Sequence, residues 1–259
     1  MSLPLMPRIG LAAFIILLGL AGPAGADYGS SPTKGRPAVL TLSTEDEAPD
    51  SMPGDRGFCD RVVTLALRRL GIKAKIVRLP SERALRNADD GLEDGTFSRV
   101  GGTVITSGYP NLVLVPEPLI RFDFVAFAKD ANPKIEGWQS LAPYRVGIVS
   151  GWKILEQEST VARAVFTAHE ADALLRMLAA GRIDLAIYDR QQGLYLIRAL
   201  GLTALHPLSP PLMRQDMYLY LHRRYQALVP VLTEALAQMK RDGAYQAIVQ
   251  KTEEGLQGP

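Results

Sequence analysis

The chain has 259 residues, 47% hydrophobic and 22% charged, with a formal net charge of +2. That composition excludes a disordered or collagen-like chain, and the length suits one large domain or two small ones. Neither sign forms a run of five or more charges, which excludes a nucleic-acid tail and a polybasic membrane patch.

Residues 1–26 read as a cleaved secretory signal peptide. Arg8 supplies the positive start, Ile9 to Leu20 is apolar apart from Gly10 and Gly19, and Ala24-Gly25-Ala26 is a small-x-small cleavage site before Asp27. The apolar run falls short of the ~20 residues of a spanning helix, so cleavage is expected rather than anchoring. Arg8 is the only charge removed, so +2 becomes +1. Cys59 is the single cysteine, so no internal disulfide is expected, and it lies far beyond the cleavage site, so no cysteine stands directly after the signal to carry a lipid. Its place in an apolar helical pattern makes it a small core residue, with a reactive thiol as the alternative.

Residues 27–36 read as a loose leader and Val39 to Ser43 as a first strand. An acidic loop, Thr44 to Gly57, precedes an amphipathic helix from Phe58 to Leu70 that Gly71 closes. Ile72, Ala74 and Ile76 alternate with lysines as a half-exposed strand. Ser81 is the expected cap of a short helix ending near Ala88. Asn111 to Val115 and Phe122 to Ala128 read as two strands. Tyr144 to Val149 is a strand, Ser150-Gly151 a turn into a helix near Trp152, Glu170 to Ala180 a helix, and Ile183 to Tyr188 a buried strand. Met217 to Leu221 is the last strand. Two helices finish the chain, with Pro230 expected at a start or kink and the second running from Ala244 to about Thr252. Strands alternating with helices predict α/β layers with largely parallel sheets. Gly-x-x-Asp recurs at Gly91 to Asp94 and Gly181 to Asp184, which suggests two similar halves.

Catalytic motifs fail on spacing. Gly147-Ile148-Val149-Ser150-Gly151 puts serine in the wrong place for a nucleophile elbow. His169-Glu170 lacks the second histidine of a zinc-protease helix, and His206 and His222 stand apart, so no metal cluster is expected. No P-loop and no dinucleotide fingerprint occurs, so no cofactor and no catalytic residue is assigned.

From Val39 to Val249 the order of elements resembles the bacterial extracellular solute-binding proteins of family 3, the binding components of importers for polar amino acids and related solutes. The resemblance is carried by Leu67-Arg68-Arg69-Leu70-Gly71-Ile72, Gly91-Leu92-Glu93-Asp94-Gly95, Val115-Pro116-Glu117-Pro118-Leu119, Tyr144 to Gly151, Met177 to Asp189, and Met239-Lys240-Arg241-Asp242-Gly243. It implies a two-lobed α/β fold of the type II periplasmic binding class, with a ligand cleft between lobes joined by two crossover strands. Lobe one would comprise 37–123 plus 217–259 and lobe two 128–213, with hinges near Phe124 to Ala128 and Arg214 to Tyr218. The implied protein is a periplasmic monomer that closes on a small polar solute and presents it to an ABC permease, without cofactor, metal or nucleic acid. The alternatives are a sensing module on the same fold, reporting to a membrane receptor, and a dehydratase-type enzyme.

The resemblance also places site residues. Ser150, Gly151 and Trp152 form a strand-to-helix turn whose amides would hold an anion, or simply a turn. Asp189 would meet a ligand amino group, or cap a surface helix. Glu45 would sit at the cleft mouth, or in a solvated acidic loop with Asp46 and Glu47. Two departures stand out: Thr44 to Asp55 holds no aromatic residue, and Arg99 follows Asp94 so closely that the intervening strand is expected to be shortened or absent. Arg99 would clamp a carboxylate, or pair with Asp94 or Glu93. Arg83 reads as a cleft arginine or an exposed helix charge. Trp152 would supply the missing aromatic platform, or lobe-two core.

Overall fold

The computed structural model describes residues 36–45, 47–129 and 133–257. The signal peptide expected at 1–26 lies outside them.

The first half opens with β1 (Val39–Thr44), α1 (Phe58–Arg69), β2 (Lys73–Arg78), α2 (Ser81–Asp89), β3 (Gly95–Val100) and a single turn, α3 (Thr103–Thr106). A long strand, β4 (Leu112–Ala128), leads to β5 (Arg145–Val149), α4 (Lys153–Glu158), β6 (Ala164–Ala168), α5 (Ala171–Ala179), β7 (Leu185–Asp189) and α6 (Arg190–Ala199). After the two-residue β8 (His206–Pro207), the strand β9 (Met213–His222) returns, followed by α7 (Val229–Arg241) and α8 (Ala244–Gln257).

The strands form one sheet in the order β2-β1-β3-β9-β4-β7-β5-β6, with β8 beside β4. β1 lies parallel to β2 and β3, and β5 parallel to β6 and β7. The centre is antiparallel, where β9 pairs with β3 and β4, and β4 with β7. Parallel pairing therefore holds within each half only. The strands that pass between the halves reverse direction, because each half is entered once and left once.

Gly-x-x-Asp has the same job in both halves. Asp94 accepts the Thr41 N–H at 2.7 Å while its own N–H reaches Thr41 O at 2.7 Å. Asp184 does this with Arg145, at 2.7 and 2.8 Å. Each aspartate pins a new strand to the first strand of its half, satisfying backbone groups that would otherwise be left unpaired.

Three local readings are corrected. The strand after Asp94 is neither shortened nor absent: β3 runs for six residues, all buried, held by β1 on one side and β9 on the other. Its Gly, Ser and Arg carry little strand propensity and Thr, Phe and Val are too few to announce a strand, so tertiary pairing decides it. The two strands expected around residues 111–128 are one, with its pairing to β9 shifted between Val115 and Ile120. Pro116 and Pro118 remove ladder N–H groups there, but their fixed φ keeps the chain extended. Ser81 does not cap α2. Pro80 stands at the cap position and the serine hydroxyl bonds elsewhere.

Two hydrophobic cores result. One packs α1 and α7 on β1 through Leu42, Leu67, Leu232 and Leu236. The other packs α5 on β5 and β7 through Leu174, Leu178, Ile148 and Ile187. Cys59, fully buried on α1, belongs to the first.

Candidate ligand-binding site

The C-terminal ends of β1, β3, β5 and β7 converge where the two halves meet, the position at which open α/β sheets bind ligands. Glu45 follows β1, Arg99 lies near the end of β3, Ser150 and Gly151 follow β5, and Tyr188 lies at the end of β7.

Arg99 is the centre of the arrangement. Its side chain is 3% exposed and its Nη1 lies 2.5 Å from Glu45 Oε1, on a side chain only 10% exposed. Nη1 also donates to Ser81 Oγ at 3.0 Å, and Nε to Thr96 Oγ1 at 3.2 Å. Arg99 Nη2 and Glu45 Oε2 are buried with no hydrogen-bond partner. Arg99 thus pairs with neither Asp94 nor Glu93. Asp94 meets Arg224 at 2.5 Å, and Glu93 faces Asn87. The expected solvated loop is also overturned for Glu45, which the ion pair draws inside.

A β-bulge aims Arg99. Pairing of β3 with β9 slips between Thr96 and Arg99, and Ser98 in that slip has φ of +58°. A non-glycine residue there is strained, and such strain gathers at functional sites. The Ser98 hydroxyl is buried and unpartnered beside the ion pair.

Ser81 bridges the halves. It accepts from Arg99 and donates to Gly151 O at 3.0 Å. Lys153 on α4 reaches Glu82 on α2 at 2.9 Å, and this ammonium, first among several partners, pulls the Glu82 carboxyl down to about 2. Gln192 on α6 donates to Asp50 at 2.7 Å.

Between these contacts lies a cavity of about 590 Å³, within the range of small-molecule sites. Its walls include Glu45, Glu47, Ser150, Trp152, Glu170 and Tyr195. A pocket of about 20 Å³, with room for one water, adjoins it behind Arg99, and Glu45 and Trp152 line both. Trp152 stacks on Phe122 at 6.1 Å and leans on Tyr188 at 5.0 Å, so it is both core and cavity wall. Glu47 accepts the Ala171 N–H at the start of α5, and burial followed by nearby carboxylates raises its pKa.

Five of the seven expected residues meet here: Glu45, Arg99, Ser150, Gly151 and Trp152. The amides expected to hold an anion are already engaged, Ser150 N–H with Ala168 O at 2.8 Å and Gly151 N–H with Glu156 at 2.7 Å. Asp189 lines neither cavity. It caps α6, accepting from Gln191 and Gln192 at 2.9 and 3.0 Å and from the Asp123 N–H at 3.1 Å. That cap is buried rather than on the surface, and burial pushes its pKa up to about 6. Arg83 is exposed on α2 and lines neither cavity.

No protein-family model matches the chain. An uncharacterised protein of Shewanella oneidensis is 26% identical over 204 residues, 75% of each chain. Among solved structures, a histidine kinase sensor domain with similarity to periplasmic binding proteins superposes with a TM-score of 0.73 at 19% identity, covering 82% of this chain and 95% of that one. An ancestral arginine-binding protein bound to arginine gives 0.72 at 17%, covering 83% and 98%. The fold is that of the two-lobed periplasmic binding proteins.

On that periplasmic-binding-protein fold, sequence reasoning missed Ser81, Ser98, Glu47 and the tyrosines Tyr188 and Tyr195. Ser81 follows Pro80 at a helix start, so the sequence presents it as a cap. Only tertiary packing, which brings Arg99 from β3 and Gly151 from the other half, gives its hydroxyl other partners. Among the described residues no group of acids, histidines and cysteines is placed to hold a metal, and no helix is long and apolar enough to cross a membrane.

Proposed function

We propose that the chain is a periplasmic solute-binding protein that captures a small polar solute between its lobes and delivers it to an ABC permease, without turnover. The observation that carries this reading is the cavity between the halves, walled by Glu45, Glu47 and Trp152, beside a buried ion pair that keeps one oxygen and one nitrogen unsatisfied. Buried polar atoms without partners are costly, and a polar solute or an ordered water supplies what they lack. Lobe one would be 37–123 plus 217–259 and lobe two 128–213, with β4 and β9 as the hinge, and residues 1–26 would direct export.

The likeness to a kinase sensor domain favours a second reading on the same fold, in which the closed form reports to a membrane receptor. Both readings require a solute. Residues 27–259 screened by thermal shift against amino acids, amines, opines and small organic acids should give a clear hit. A ligand at one hundred times its dissociation constant adds ~2.7 kcal/mol of stability. A flat screen would sink both readings. Affinity capture from membranes with the ligand present then separates them, by recovery of a permease or of a receptor.

A further inference from the structure

The charges around the cavity do not balance, and the imbalance names the solute. Arg99 is matched by Glu45 at 2.5 Å. Arg78, the guanidinium in the cavity wall itself, is matched by Asp60 at 2.7 Å. Among the described residues neither Glu47 nor Glu170 has a cationic partner, and both line the cavity. Glu45 Oε2, nine-tenths out of solvent on the same wall, is an acceptor with nothing to accept. Trp152, Tyr188 and Tyr195 add aromatic surface to the same cavity. Carboxylates and ring faces together suit an ammonium or guanidinium group.

A carboxylate on the solute would find two free donors, Arg78 Nε and Arg99 Nη2, each on a guanidinium already paired with a carboxylate. The Ser150 and Gly151 amides are engaged by Ala168 and Glu156. Arg99 keeps a single free Nη2, and its charge is already neutralised. That amino group, with two N–H donors on a guanidinium already paired with Glu45, suits a neutral acceptor, a hydroxyl or a water, better than a second anion.

Resting on the reading of this cavity as a solute site, we propose that the solute is an organic cation without a carboxylate, an amine or guanidine held by Glu45, Glu47 and Glu170. The experiment compares each basic amino acid with its decarboxylated counterpart on the purified protein: arginine with agmatine, lysine with cadaverine, ornithine with putrescine. Titration calorimetry should show the amine of at least one pair binding at least tenfold tighter than its amino acid. Glu47→Gln keeps an acceptor for Ala171, and Glu170→Gln alters an exposed side chain, so both should fold; each should weaken the amine at least tenfold. Amino acids binding more tightly than their amines would overturn the proposal, as would amine binding unchanged in both variants. A broad library that yields an anionic or neutral solute and no amine overturns it while leaving solute capture standing. A library with no hit at all removes both.

Discussion

Glu45 and Arg99 stand far apart in sequence and share a site almost free of water, with side chains 10% and 3% exposed. Desolvating two such charges is costly, and their attraction offsets it only while both are present. Arg99→Leu should therefore lower stability by about 3–5 kcal/mol, because Glu45 is left buried and alone. Glu45→Leu should do the same to Arg99, while the double variant should fall well short of the sum. A urea-denaturation cycle measures this, and additive losses would show that the two side chains are not coupled in solution. The pair was half legible in the sequence. An arginine after Gly-x-x-Asp pointed to the cleft, but its partner did not, because Glu45 sits in an acidic stretch that reads as solvated. Asp189 reads as a ligand-binding acid, with a surface cap as the alternative; it lines neither cavity and caps α6 from the interior, a depth set by the packing of α6 against β4 rather than by local pattern.

The amphipathic helices could be read directly. α1, α5 and α7 each bury a strip of apolar residues at helical spacing. Gly91 to Asp94 and Gly181 to Asp184 announced the repeated half, and the structure gives both aspartates one hydrogen-bonding role. What stayed hidden were elements defined by neighbours. β3 is a strand because β1 and β9 flank it, and β6 is a short edge strand with exposed Val165 and Phe166. α6 begins directly after β7, with no turn residue to mark it. The turn between β5 and α4 makes a sharp test at this scale. Gly151 has φ of +89°, and a Cβ there would lie 2.7 Å from Ser81 Cβ on the opposite half. Gly151→Ala should cost roughly 1–3 kcal/mol from strain and overlap. It should also loosen the contact between the halves, read as a larger radius of gyration by small-angle scattering. Unchanged stability and radius would mean that the Ser81–Gly151 contact is absent in solution.

For the whole molecule, the link between Asp50 and Gln192 ties the loop after β1 to α6 and buries one carboxyl close to another. Burial, and then the charge of Asp189, push Asp50 up to about 7 from 3.8. Asp189 itself rises to about 6. Between pH 3.8 and about 7 the folded protein holds protons that the unfolded chain gives up, so unfolding releases protons and stability falls as pH rises. Glu47, also raised, acts in the same direction. His222, lowered by burial and then by Arg224, acts in the opposite one. The carboxyls lowered by cations, Glu82 by Lys153 and Asp184 by Arg145, contribute stability that is lost only under more acidic conditions. The protein should therefore be more stable at pH 5.5 than at pH 8, by on the order of 1–3 kcal/mol, or several degrees in Tm. Asp50→Asn keeps an acceptor for Gln192 and removes the titrating group, so much of that difference should vanish. Calorimetry of both proteins across this range decides it. An Asp50→Asn profile as steep as wild type would assign the slope to other groups and leave the Asp50 link as a hydrogen bond without a pH role.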